Sequence, residues 1–123
     1  MMIELPVLSS APDLAPAGVR LIELLASPTR RRIVLALMRG EACNGELAVD
    51  LGLSQNLISH HIRRLREAGF VRERRDATDA RWIYYTLDAA ALAESWRALG
   101  AAFDPSRLGA RIPDCGPVAR KGR

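Results

Sequence analysis

The stretch 53-LSQNLISHHIRRLREAGF-70 decides how the rest of the chain is read. Ser54 is a strong helix N-cap, because its hydroxyl can accept from a free N–H of the first turn, and Gly69 is a C-terminal stop. Between them, successive residues advance about 100° around a helix. Leu57, Ile58, His61, Ile62, Leu65 and Ala68 then fall on one side, and Gln55, Asn56, Ser59, His60 and Arg63 on the other. The first face is apolar enough to bury. The second offers amide, hydroxyl, imidazole and guanidinium groups, which hydrogen-bond base edges in a major groove or the phosphates beside it.

Just upstream, 44-NGELAVDLG-52 reads as a brief helix capped by Asn44 and stopped by Gly52, with Cys43 in a short turn before it. Two short helices across a tight Gly-containing turn make a helix-turn-helix. Further back, 27-SPTRRRIVLALMRG-40 has Ser27 as N-cap, Pro28 at the first helical position and Gly40 at the stop. Its Ile33, Val34, Leu37 and Met38 share one face. An earlier helix, capped by Asp13, carries Leu14, Val19, Leu21, Ile22, Leu24 and Leu25 and ends near Ala26. Downstream, 70-FVRERR-75 and 81-RWIYYTL-87 are rich in aromatic and β-branched residues, and the DATDA between them holds turn formers, so a β-hairpin is expected. Asp88 then caps a last helix on which Leu92, Trp96, Leu99 and Phe103 form a narrow seam suited to packing on another helix.

The expected fold is therefore mainly α with a β-hairpin wing, a winged helix-turn-helix. Residues 1–12 read as a flexible N-terminal arm, 13–103 as the DNA-binding and dimerisation domain, and 104–123 as an irregular tail carrying Cys115. Within the hairpin, Arg74, Arg75 and Arg81, together with Arg72, suit a wing that reaches a neighbouring minor groove or the backbone. The two adjacent histidines diverge by about 100°, so they cannot chelate one ion. His60 reads as a groove residue and His61 as a hydrogen-bonded core histidine.

With 123 residues, 49% of them apolar and 26% charged, one modest globular core is expected. A formal net charge of +4 favours an anionic partner such as nucleic acid. The N-terminus lacks the basic and long apolar regions of a secretory signal, and no apolar run is long enough to span a membrane. A cytoplasmic location follows as the expectation, with Cys43 and Cys115 reduced thiols. No Gly-rich phosphate loop, HExxH, GxSxG or CxxC is present, so the chain does not read as an enzyme. A DNA-binding protein without an inducer and a protein-interaction module built on the Leu92–Phe103 seam are the other readings.

The segments LASPTRRRIVLALMRGE, GELAVDLGLSQNLISHHIRRLREAGFVRERR and WIYYTL resemble the ArsR/SmtB family of winged-helix repressors over about residues 20–87. The resemblance implies a homodimer joined by its first and last helices, here through Leu21, Leu25, Leu92, Trp96, Leu99 and Phe103. It also implies binding to an imperfect inverted repeat in double-stranded operator DNA, relieved by an inducer that is often a metal or metalloid ion. The family's DNA-contacting positions map to Gln55, Asn56, Ser59 and His60, in agreement with the helical sorting.

Zinc sensors of the family carry an Asp-x-His start and a His pair on the last helix; this helix begins Asp88-Ala89-Ala90 and holds no histidine. Sensors with two cysteines late in the recognition helix would need them near Arg64 and Ala68. Arsenic and cadmium sensors carry ELCVCDL, where this chain reads EACNGEL, with Cys43 at the first cysteine position and Gly45 at the second. Cys115 can supply a second sulfur, since the twelve residues from Phe103 reach about 40 Å when extended. Cys43 and Cys115 are thus the expected ligands of a thiophilic inducer, As(III) first and Cd(II) or Pb(II) next. No cofactor is needed for DNA binding. The alternatives are a redox or persulfide switch on the same two cysteines and a repressor without any thiol-based inducer.

Overall fold

A computed structural model describes residues 13–117, so the expected N-terminal arm lies outside the described residues. The element order is α1 (Pro16–Leu25), α2 (Pro28–Leu37), β1 (Ala42–Cys43), α3 (Asn44–Leu51), α4 (Gln55–Glu67), β2 (Val71–Arg75), β3 (Ile83–Leu87), α5 (Ala89–Ala102) and a 3-10 turn (Pro105–Arg107). The three strands form an antiparallel sheet in the order β1-β3-β2. The mainly helical fold with a small winged sheet is as expected.

Local chemistry explains most boundaries. Ser27 Oγ accepts from Arg30 N at 3.3 Å, Ser54 Oγ from Leu57 N at 3.1 Å, and Asp88 Oδ1 from Ala91 N at 3.0 Å. Gly52 and Gly69 end α3 and α4 with φ of 66° and 85°, a conformation that a side chain disfavours. Two expected caps are corrected. Helix α1 starts at Pro16 behind Ala15, and Asp13 only accepts from the next N–H, at 2.7 Å. Helix α3 is capped by Cys43, whose N–H donates to Glu46 Oε1 at 2.9 Å while its sulfur faces the Glu46 N–H, a capping box. Cys43 is also not in a turn: β1 pairs it with Tyr84 and Ala42 with Tyr85.

The core gathers Leu21 and Leu24 from α1, Ile33, Val34 and Leu37 from α2, Leu47 from α3, Ile58, Ile62 and Leu65 from α4, and Phe70, Val71 and Tyr85 from the sheet. Met38, expected on the buried face of α2, is 59% exposed: it keeps helical geometry but lines an open apolar groove rather than the core. Helices α1 and α5 pack closely where Gly18 faces Ala98; a Cβ on Gly18 would lie 3.2 Å from the Ala98 Cβ. The basic run Arg30–Arg32 is spent on helix ends. Arg30 Nε donates to Leu24 O at 3.2 Å, Arg31 Nη1 to Leu25 O at 2.6 Å, and Arg32 Nη2 to Leu51 O at 2.7 Å. Arginines there satisfy orphan carbonyls and oppose the negative end of the helix dipole. Among the described residues no helix is long and apolar enough to cross a membrane.

Candidate nucleic-acid interface and thiol cleft

Helix α4 presents Gln55, Asn56, Ser59, His60 and Arg63 to solvent, while Ile58, Ile62 and Leu65 are buried. The expected face is there, with one change: Leu57 is 37% exposed, at the edge of the outer face rather than in the core. The outer face is held from the preceding helix. Asn44 Nδ2 donates to Ser59 Oγ at 2.6 Å and to Gln55 O at 3.3 Å. His61 is half-buried on the inner side, and its Nδ1 is buried without a partner among the described residues. It is therefore not the hydrogen-bonded core histidine that was expected. Burial first, then the charges of His60, Arg30 and Arg64, hold its pKa below the ordinary 6.5.

The wing is built differently. Arg74 lies 4.7 Å over the Tyr84 ring and clamps Glu41 with two bonds, of 2.6 Å and 3.1 Å. That clamp lowers the pKa of Glu41, with the Arg74 hydrogen bond as the largest cause. Arg75 donates to Ala80 O at 2.9 Å, Arg81 to both Asp79 oxygens at 2.8 Å and 3.0 Å, and Arg72 to Asp88 at 2.8 Å. At the hairpin tip, Asp76 Oδ2 accepts from Thr78 N, Thr78 Oγ1 and Asp79 N. The sequence promised a row of wing cations. The structure pairs them with acids and a carbonyl of the same protein.

Between helix and wing lies an open cleft of about 370 Å³, lined in part by Cys43, Asn44, Gln55, Arg81, Trp82 and Tyr85. Cys43 is half-buried there. Beside it the Glu46 carboxyl is held below its usual pKa, first by the Cys43 backbone N–H and then by the Cys43 side chain. A methyl group at Gly45 would lie 3.9 Å from Gln55 Nε2 and 4.0 Å from Cys43 Sγ, so the thiol and the outer-face amide border one small volume. Cys115 is elsewhere. It is exposed and lines a separate hollow with Arg111, Ile112, Pro113 and Asp114, and among the described residues no tail residue lines the Cys43 cleft. Cys43 and Cys115 are both free cysteines and line different hollows of the protomer. No group of three His, Cys, Asp or Glu that would hold a metal occurs among the described residues. Asn44 was expected only as a helix cap, and Glu46 and Trp82 were not singled out from the sequence. Only Glu46, three residues after Cys43, carried a readable signal, that of a capping box.

A second, apolar groove of about 580 Å³ runs between α1, α2 and α5, with Leu25, Leu35, Met38, Leu92, Trp96 and Leu99 on its walls. Trp96 is 71% exposed. Of the other residues expected at this surface, Leu21 lines the groove while nearly fully buried, and Phe103 is 69% exposed outside it, beside the Pro105–Arg107 turn.

Comparison with known proteins bears on this arrangement. Residues 27–73 match the family described as bacterial regulatory protein, arsR family. The arsenic resistance transcriptional regulator of Pseudomonas putida is 47% identical over 51% of this chain and 48% of its own length. The chain thus spans about half of that relative. The arsenical resistance operon repressor of Escherichia coli is 36% identical over 64% of this chain and 72% of the repressor. Among solved structures, the transcriptional repressor BigR of Xylella fastidiosa superposes with a TM-score of 0.55 at 34% identity, covering 69% of this chain and 84% of that one. These relatives are regulators of transcription and not enzymes. With a helix-turn-helix in the matched segment and a winged sheet behind it, the chain belongs to the ArsR family of bacterial regulatory proteins.

Proposed function

We propose that this chain is a cytoplasmic, homodimeric repressor that reads an imperfect inverted repeat and is released by a thiophilic ion, As(III) before Cd(II) or Pb(II). The observation that carries the reading is the position of Cys43. Its sulfur borders the volume that Gln55 borders on the outer face of α4, so a ligand there acts where helix and wing converge. The names of the Pseudomonas and Escherichia relatives support arsenic as the first ion to test.

Gln55, Asn56, Ser59 and His60 read bases, and Arg63 takes a phosphate. Arg74, Arg75 and Arg81 shape the wing, and they meet DNA only by giving up their present partners. Two copies packed through the α1/α5 groove hold their recognition helices about one helical turn apart, 34–36 Å. One thiolate is too few for a thiophilic ion, and the donor set fits when the tail delivers Cys115 as the second. When bound, the ion supplies affinity for deprotonated sulfur. Inducer action requires that the ion bind the DNA-free conformation better, each tenfold in operator affinity corresponding to about 1.4 kcal/mol of that difference. Ligation displaces protons from thiols, so release weakens as pH falls.

The test uses a duplex selected by the wild-type chain from a random library. Release by As(III), Cd(II), Zn(II) and a persulfide donor is measured for wild type, Cys43→Ser, Cys115→Ser and Gly45→Cys. The expectation is that As(III) releases wild type, that either serine variant blunts release, and that Gly45→Cys lowers the As(III) concentration required. Wild-type response in both serine variants sinks the two-cysteine site. Release by the persulfide donor alone moves the same thiols to redox sensing.

A further inference from the structure

We propose that Asn44 is a positioning residue for operator recognition and the link through which a change at Cys43 reaches the DNA-reading face. The second half rests on the reading of Cys43 as the inducer thiol. Asn44 is the first residue of α3, next to the Cys43 cap, and its side chain crosses to α4. Its Nδ2 donates to Ser59 Oγ at 2.6 Å and to Gln55 O at 3.3 Å. Among the described residues, no other side-chain hydrogen bond joins the two helices of the helix-turn-helix.

The two acceptors are not a random pair. Gln55 is four residues before Ser59, so Gln55 O is the carbonyl to which a helical serine hydroxyl ordinarily bonds back. Asn44 engages that carbonyl and also donates to the Ser59 oxygen. The Ser59 O–H is then turned away from its own helix and is left as a donor for a base acceptor or a phosphate oxygen. Without Asn44, the hydroxyl folds back onto Gln55 O and is lost to DNA.

The same amide is poised to let go. Asn44 Oδ1 is buried without a partner, so the side chain keeps this position only while its two donor bonds hold. Those bonds depend on the first turn of α3, which Cys43 and Glu46 cap reciprocally. Were Cys43 Sγ engaged by a thiophilic ion, it would leave the Glu46 N–H and that turn would loosen. Asn44, which also lines the Cys43 cleft, would then swing its orphan oxygen toward water. Ser59 would fall back on its helix, and the reading face would lose a donor.

The experiment is a double-mutant cycle on the full chain with Asn44→Ala, Ser59→Ala and the pair, read as affinity for the selected duplex and for a scrambled duplex. Each single variant is expected to lose about threefold to tenfold on the selected duplex and nothing on the scrambled one, in keeping with one hydrogen bond. The pair is expected to lose no more than either single. Asn44→Asp, which keeps the shape and removes the Nδ2 donor, should behave as Asn44→Ala, with circular-dichroism melting confirming the fold of each. An unchanged ratio of selected to scrambled affinity, or losses that add, overturns the positioning role. A third arm adds As(III). In Asn44→Ala the ion should still produce the ultraviolet sulfur–arsenic absorbance while causing no further loss of DNA affinity. Wild-type release in Asn44→Ala overturns the link. Should wild type itself not respond to As(III), the inducer reading falls and takes the link with it, while the duplex arms still decide the positioning role.

Discussion

The recognition helix and the wing both look basic and polar, yet they dispose of their polar groups in opposite ways. On α4, Gln55, Asn56, His60 and Arg63 stand exposed on a helix anchored by Ile58, Ile62 and Leu65. On the hairpin, Arg74, Arg75 and Arg81 each hold a partner within the protein, and the tip is tied by Asp76. The difference is one of preorganisation. A face whose donors are uncommitted can spend them on bases, whereas a wing whose cations are already paired contributes shape and stiffness. The Cys43 cleft lies where the two regions meet, so a ligand there disturbs the adaptable face against a rigid one.

The most forceful way to break this contrast is to remove the anchor of α4. Ile58 is fully buried, and Ile58→Ala should cost about 2–5 kcal/mol in denaturant unfolding, transfer and cavity terms together. Leu57, its neighbour at 37% exposure, should cost less than about 1 kcal/mol when changed to Ala. Equal costs would mean that α4 has no distinct inner and outer face. Operator affinity should follow the same split, because an unanchored α4 cannot hold its readers in register.

A smaller effect separates helix from wing on DNA itself. Gln55→Ala should lose about 1–3 kcal/mol of discrimination between the selected and a mismatched duplex. Arg63→Ala should weaken both duplexes alike and lower the salt slope by about one. Arg74→Ala should leave that slope at its wild-type value, because Glu41 rather than a phosphate holds the guanidinium. Titrating each variant from low to high salt checks all three. A slope reduced by one in Arg74→Ala would show that the wing pair opens onto DNA, and the contrast drawn above would be wrong.

Most of the fold was legible because its signals are local. Ser27, Ser54 and Asp88 cap the helices they were expected to cap, and Gly52 and Gly69 take the conformations that end a helix. The hairpin announced itself through two segments rich in aromatic and β-branched residues on either side of turn formers. What stayed hidden depends on contacts between distant residues. Strand β1 is two residues long, too short to show a period, and exists only because β3 lies beside it. Cysteine is not a usual N-cap, so Asn44 was expected to cap α3 while its true partners, Ser59 and Gln55, lay in the next helix. Charge was the most misleading signal. Arg30, Arg31 and Arg32 serve carbonyls at helix ends, and Arg107 does so for α5, donating to Ala101 O at 2.8 Å and Ala102 O at 2.6 Å. A count of cations therefore overstated what is left for DNA.

The smallest effect sharpens the comparison from inside α4, at the histidine pair. His61 points inward and is held below its ordinary pKa of 6.5, chiefly by burial and then by the nearby charges of His60, Arg30 and Arg64. The unfolded chain therefore takes up a proton near pH 6.5 that the folded chain refuses. By linkage, stability falls as pH drops through 6.5, and the fall ends once the folded-state pKa is passed. Burial, the largest cause, is untouched when the exposed His60 is replaced, so that variant should keep most of this slope and lose only the part that the His60 charge contributes. The measurement is the denaturant midpoint between pH 7.5 and 5.5 for wild type, His61→Gln and His60→Gln. Wild type and His60→Gln should lose stability on acidification more steeply than His61→Gln. If His61→Gln keeps the full slope, the inward histidine is not the group that titrates, and the assignment of the two rings to opposite faces of the helix loses its energetic support.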